Sequence, residues 1–542
     1  MKKRNFLEKT ESEMDFEFFL GRFISQVAPI HDAVKESWWE LATRSSDEAA
    51  RRNADLNCQL RVLYSDRDAY VLLRYLQGSG EIFNPLFARQ LEVLINSFKG
   101  NMLPAEVLAA ISNEEAALSQ AYSTFRADFE GRPAGENDLK DVLRTEPSVA
   151  RRMAAWDATK QVGAAMAPGI RRLVALRNQG AREMGYPDFW RMSMELQEID
   201  SNWLLVMFDQ LAVDSDAAYQ TVLGDINRTL AERFGVPVEQ VGPWAWGDPF
   251  CQEDPLGVAE LDRLIADTGI DIVELSTRFY DSLGFDVREV IARSDLYERE
   301  GKNPHGYCED FSRDGGDVRI LVNLRPTMRW TETWFHEVGH AIYFRGFDWG
   351  LPWLLRDCAT ITTEAVALLT GGQIYRPEFL RALVTKGDVS FEPLVAEAAV
   401  SRRRWNLIFS RWVLVMVHFE AGLYANPDQD LNRLWWSLVE RYQGIRPPEG
   451  REGKDDWATK MHIALAPCYY QGYLLGNLFA TMLQERINQM TGGEGMYGHP
   501  EVGRFLHDRL FYAGLRRNWD AQVNATLGEH LNTGAWLKEN AS

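Results

Sequence analysis

In TWFHEVGHAIYF, Thr333 to Phe344, two histidines stand four residues apart with a glutamate directly after the first. Aromatic and aliphatic residues surround them, no proline interrupts the stretch, and Glu332 lies four positions before His336, so the pattern predicts a helix. Positions i and i+4 share one helical face. His336 and His340 can therefore reach one cation, while Glu337, turned about 100° from His336, points beside them at a water to be activated. The bland alternative is a pair of core histidines, which nine histidines in 542 residues make an uncommon coincidence. A hydrolytic zinc takes three protein ligands. Glu364, 24 residues after His340, is the candidate third. The glycines and proline of FRGFDWGLPW turn the chain before a new helical run, and two antiparallel helices would bring Glu364 back to the histidines. An unpaired carboxylate in the apolar run TTEAVALL would be costly.

The elements that must position these residues read as mostly helical. From Asp15 to Gly185 successive helices are expected, one capped at Asn113 and another capped at Asn137 and stopped at Pro147. Helical patterns continue through residues 201–235 and 257–269. The one clear strand is GDVRILVNLRP, just before the histidine helix. Its position suits hydrolysis of an extended peptide, whose backbone can pair with a sheet edge. His305, in the preceding PHGY, could hydrogen-bond a substrate carbonyl; a lone loop histidine is otherwise unremarkable. Two glycine- and proline-rich pieces, GIRPPEGREGKDD and TGGEGMYGHP, read as surface loops.

Length alone suggests ~3 to 4 domains, but no linker, low-complexity tract or repeat divides the chain, and one large unit over residues 1–542 is expected. A formal net charge of -19 argues against a phosphate-binding surface, so no nucleic-acid partner is expected. The start of the chain is basic but meets Glu8, Glu11, Glu13 and Asp15 before any apolar run of signal length. WVLVMVHFEAGLY carries His418 and Glu420 and fits a buried helix better than a membrane span, so no membrane partner is expected. Five scattered cysteines form no CxxC pair, which fits reduced thiols and a cytoplasmic location.

HEVGH, Glu364, RNQGAREMGYPDFWRMSMELQEID, WWSLVERYQG and TKMHIALAPCYYQGY together resemble the angiotensin-converting enzyme (peptidyl-dipeptidase A) family of zinc metallopeptidases across nearly the whole chain. The thimet oligopeptidases and Taq-type carboxypeptidases are neighbours with a similar helical fold. The resemblance implies a mainly α, two-lobed helical metallopeptidase with a deep central cleft and a small sheet near the zinc helix. Residues up to about 150 would be candidate lid helices, and 300–480 the zinc and substrate-binding core. It also implies one Zn2+ per chain on His336, His340 and Glu364, with Glu337 as general base and short peptides as substrates.

Further roles follow from the same resemblance. Lys460 and Tyr470 would hold the substrate's C-terminal carboxylate, a point charge and a phenol donor meeting an anion. His462 and Tyr473 would donate to the oxyanion, worth roughly 2.7–4 kcal/mol per donor in comparable sites. His305 and Gly306 would meet the substrate backbone. The tyrosine pair lies one residue further from His462 than in the animal enzymes, so Tyr469 competes with Tyr470. Gly472 stands where chloride-activated members carry arginine, which predicts no chloride dependence through that position. Leu368 replaces the aspartate that orients a zinc histidine, so that support must come from elsewhere. No glutamine occurs in PWAWGDPF, where one should help bind the terminal carboxylate, so cleavage other than dipeptide release is an alternative. That alternative is a zinc oligopeptidase or a single-residue carboxypeptidase; a catalytically silent peptide-binding protein is the reading from another class.

Overall fold

Helix dominates because strong helix formers fill long stretches between glycine and proline stops, and capping side chains mark many of the starts. The computed structural model describes residues 9–257, 259–384 and 391–542; the basic start of the chain, residues 1–8, lies outside them. The chain divides into two units, each assembled from three segments. Unit 1 comprises residues 1–102, 260–395 and 476–532; unit 2 comprises 103–259, 396–475 and 533–542.

Two small antiparallel sheets interrupt the helices among the described residues. In unit 2, β1 (Ala127–Phe129) pairs with β2 (Arg132–Ala134), so the expected run of helices up to Gly185 is broken by a hairpin. Its turn residues Glu130 and Gly131 have φ of 55° and 76°, the double left-handed turn that matches the twist of a two-residue hairpin. The two expected asparagine caps also move. Asn113 lies inside the helix Ala105–Thr124, because AEVLAA ahead of it is strongly helix-forming. The next helix, Glu136–Thr145, starts one residue before Asn137, with the Asp138 carboxylate accepting the Gly135 N–H at 2.9 Å.

In unit 1, β4 (Val318–Leu321) is the expected strand and pairs with β3 (Tyr307–Asp310), in register Tyr307 to Leu321 and Asp310 to Val318. β3 escapes sequence reading because Cys308, Glu309 and Asp310 are not strand-forming residues. The sheet packs on the helix Met328–Phe344. The helix reaching from Pro393 to Ala425 is the one described helix long and apolar enough to cross a membrane, and 78% of its apolar window is buried inside the protein.

Candidate active site

The helix Met328–Phe344 begins at Thr327, whose hydroxyl accepts the Trp330 N–H, and carries both histidines on one face. Their Nε2 atoms lie 3.2 Å apart. Glu364, on the helix Thr360–Gly371, brings a carboxylate oxygen to 3.7 Å from the His336 Nε2. All three donors lie within 4.8 Å of one another. Bonds of about 2.0–2.1 Å to a tetrahedral zinc place neighbouring donors roughly 3.3 Å apart, so these residues fit that ion without rearrangement of the helices.

Small residues let the two helices approach so closely. A Cβ on Gly339 would overlap Thr370 Oγ1 and come within 2.9 Å of Ala367 Cα; one on Gly371 would lie 3.3 Å from His336 Cβ. Thr370 Oγ1 instead donates to the Phe335 carbonyl at 3.0 Å, tying one helix to the other, and Tyr280 donates to the same carbonyl at 2.6 Å. Gly476 does the same for the third ligand, since a Cβ there would sit 2.9 Å from Glu364 Cβ.

The orienting partner missing at Leu368 is supplied by Thr363, whose Oγ1 lies 2.7 Å from His340 Nδ1. With Nε2 facing the metal position, Nδ1 carries the hydrogen and donates to that hydroxyl, which fixes tautomer and ring angle. Burial and the neighbouring His336 push the His340 pKa well below the ordinary range, keeping it neutral and able to ligate. Glu337 is 6% exposed. Burial and then the Glu364 carboxylate push its pKa well above the ordinary range, and a cation between the ligands would oppose the second of these effects.

Gly306 sits against this glutamate: a Cβ there would lie 3.3 Å from Glu337 Oε1 and 3.0 Å from Thr333 Cγ2. A side chain at this position would press on the general-base candidate, so glycine eases the passage of the chain entering β3. The edge of β3 away from β4 pairs with no strand among the described residues. His305 stands exposed just before it, with its N–H donating to Asn303 Oδ1 at 2.9 Å. Lys302, which sequence reading did not single out, anchors this segment from inside through Asp295 Oδ1 at 2.9 Å and the carbonyls of Asp295, Tyr297 and Val322.

Unit 2 holds the other predicted residues. Lys460 is 8% exposed, with its Nζ over the rings of Phe250 at 4.8 Å, Trp412 at 5.2 Å and Tyr470 at 5.9 Å. Its Nζ donates to Gln252 Oε1 at 3.1 Å, and among the described residues no carboxylate pairs with it. Desolvation lowers its pKa to about 8. PWAWGDPF itself holds no glutamine, but Gln252, two residues past it on irregular chain after the 3-10 turn Pro243–Ala245, is the glutamine beside Lys460. Tyr470 is buried, and its ring lies 5.3 Å from that of His462 and 5.8 Å from that of Tyr473. Tyr469 is 37% exposed and packs instead on Tyr473 at 5.0 Å. Tyr470, not Tyr469, is therefore the tyrosine beside Lys460.

The family model described as angiotensin-converting enzyme matches residues 10–240 and 263–538. Angiotensin-converting enzyme of Sus scrofa is 24% identical over 436 residues, covering 73% of this chain and 32% of the relative. That of Mus musculus is 23% identical over 459 residues, covering 76% and 34%. That of Haematobia irritans exigua is 24% identical over 320 residues, covering 54% and 51%. The chain thus spans about a third of the length of the two mammalian relatives and about half that of the fly relative.

Proposed function

The chain belongs to the angiotensin-converting enzyme family of metallopeptidases, and we propose that it is a zinc peptidase releasing C-terminal dipeptides from short, unstructured peptides. The observation that carries this reading is Lys460, a buried ammonium with a glutamine beside it and no carboxylate of its own among the described residues. A substrate's terminal carboxylate is the anion that suits it, with Gln252 turning its amide N–H and Tyr470 its hydroxyl toward the same group. A small, partly open cavity adjoins Phe250, lined by Tyr122, Phe125, Leu139, Val162 and Thr459 among others. Its walls suit an apolar side chain on the last residue of the peptide.

His336, His340 and Glu364 would hold the zinc, which would supply Lewis acidity at the scissile carbonyl. Glu337 takes a proton from the attacking water and passes it to the leaving amine. His462 and Tyr473 donate hydrogen bonds to the developing oxyanion. The open edge of β3, with His305 and Gly306 at its entrance, pairs with the extended substrate backbone. The five cysteines are free, which supports a reducing, cytoplasmic place of work.

Product masses from an unmodified octapeptide and its C-terminal amide, each with and without a chelator, test the reading. Chelator-sensitive dipeptide loss from the free acid, much reduced on amidation, is the expected outcome. Chelator-sensitive cleavage indifferent to amidation would remove the carboxylate anchor and leave an oligopeptidase. Cleavage unaffected by the chelator would overturn the zinc mechanism.

A further inference from the structure

Two cysteines of unit 2 occupy left-handed backbone, a region that glycine adopts freely and other residues rarely: Cys251 at φ 53° and Cys468 at φ 56°. Each stands within two residues of an anchor residue. Gln252 comes after Cys251, and Tyr469 and Tyr470 come after Cys468. Such backbone persists only where its surroundings hold it, and both turns are held by buried side chains.

At the first turn, Asp248 is 2% exposed and accepts the N–H groups of Phe250 at 2.8 Å and of Gln252 and Glu253 at 3.1 Å each. Gln443 donates to the carbonyls of Phe250 and Cys251, while Trp156 and Lys160 donate to that of Pro249. At the second turn, the Cys468 N–H donates to Glu420 Oε1 at 2.9 Å, and its carbonyl accepts from Gln197 at 3.1 Å and from Gln471. Gln471 also bonds Gln197 at 2.9 Å, closing the clamp.

Glu420 has no ion pair among the described residues and is 1% exposed. A buried acid with no cation in ion-pair contact is expensive, and the Arg177 charge nearby offsets only part of that cost, so the backbone bond it makes is what its oxygen contributes. Desolvation pushes its pKa up to about 8, so at neutral pH it is an uncharged acceptor that glutamine can imitate. Glu420 lies eight residues after Trp412 on one helix, hence near the same face. Trp412 is the ring 6.0 Å from Tyr470, so a single helix supplies both the wall behind the tyrosine and the clamp on the turn before it.

We propose that Glu420 is a positioning residue for the carboxylate anchor: it holds the left-handed Cys468 turn and thereby fixes Tyr470 beside Lys460, as Asp248 holds the Cys251 turn that delivers Gln252. The inference rests on the reading of Lys460, Gln252 and Tyr470 as that anchor. The zinc-loaded full chain and its variants are assayed for KM and kcat on a free-acid peptide and its C-terminal amide, with melting temperature followed separately. Glu420→Ala is expected to raise KM for the free acid roughly tenfold, with kcat and the amide's KM little changed, and Glu420→Gln is expected to restore the parent values. Asp248→Ala should give the same signature. An unchanged preference for the free acid in Glu420→Ala, or an equal loss on both peptides, would overturn the proposal. If Glu420→Ala does not fold, Gln197→Ala carries the test, because Gln197 is exposed and its loss spares the core; a roughly threefold selective rise in KM supports the clamp and no change overturns it. A parent enzyme with no preference between the two peptides would overturn the anchor reading itself, a result visible before any variant is made.

Discussion

His336, His340 and Glu364 stand on two helices whose backbones satisfy their own hydrogen bonds, whereas Gln252, Lys460 and Tyr470 stand on or beside irregular chain held by buried side chains. In the first region, side-chain direction follows from helical periodicity, and glycines at 339, 371 and 476 need only remove obstacles. In the second, Asp248, Gln443, Glu420 and Gln471 must each meet a particular amide or carbonyl before the anchor residues point anywhere useful. A site on regular elements needs little support beyond packing; a site on loops recruits a shell of buried polar groups.

The strongest way to break this comparison lies in the helical region. Glu337→Gln removes the proton acceptor but no ligand, so turnover is expected to fall by roughly 10²–10⁴-fold while metal analysis still finds one zinc per chain. Full turnover with zinc bound would show that the helical pair holds a metal without performing the proposed chemistry. The loop region is probed by Lys460→Met, which keeps the stem and deletes the charge. Losing a charged hydrogen bond of about 1.5–3 kcal/mol predicts a kcat/KM lower by roughly 10–150-fold on free-acid peptides, with amidated peptides nearly unaffected. Equal losses on both substrates would make Lys460 a packing residue.

Thr363→Val sharpens the contrast, because it tests a side-chain hydrogen bond made directly to a ligand of the helical site. Removing the hydroxyl that orients His340 should weaken zinc binding by roughly 10–100-fold, read by competition with a chromophoric chelator, with the fold intact by circular dichroism. Unchanged affinity would mean that packing alone holds the imidazole.

The same difference explains what could be read from the residues beforehand. His336, Glu337 and His340 were legible because helical spacing converts sequence separation directly into direction, and Glu364 because a turn and an apolar run left one carboxylate to explain. The strand before the zinc helix was legible from β-branched residues. Its partner β3 was not, since pairing with β4 overrides the poor strand propensity of Cys308, Glu309 and Asp310. Thr363 was overlooked because the orienting group was sought four residues after Glu364, not one before it. Gln252 was missed for a different reason: it stands on irregular chain held by Asp248 beside the left-handed Cys251, and no periodicity reports where such chain carries a side chain. Lys460, His462 and the tyrosines were reached through family resemblance, and the choice between Tyr469 and Tyr470 needed burial to decide it.

The smallest effect is one of pH, and its sign separates anchor from scaffold. Burial lowers the pKa of Lys460 to about 8, so its charge is present below that pH and lost above it. Between pH 7 and 9 the preference for a free-acid peptide over its amide is expected to fall by up to about tenfold. The contribution of the same group to stability runs the other way. An unfolded lysine keeps its proton to about pH 10.4, so between about 8 and that value the unfolded state binds more protons than the folded one, and this contribution stabilises the fold as pH rises. Lys160, also buried and lowered to about 8, adds a contribution of the same sign. A loss of preference at pH 9 with an undiminished melting temperature is therefore the signature of a discharged anchor. A preference that is flat across this range would place the carboxylate on Gln252 and Tyr470 without the ammonium, and a fall in preference that tracks unfolding would assign the effect to the scaffold.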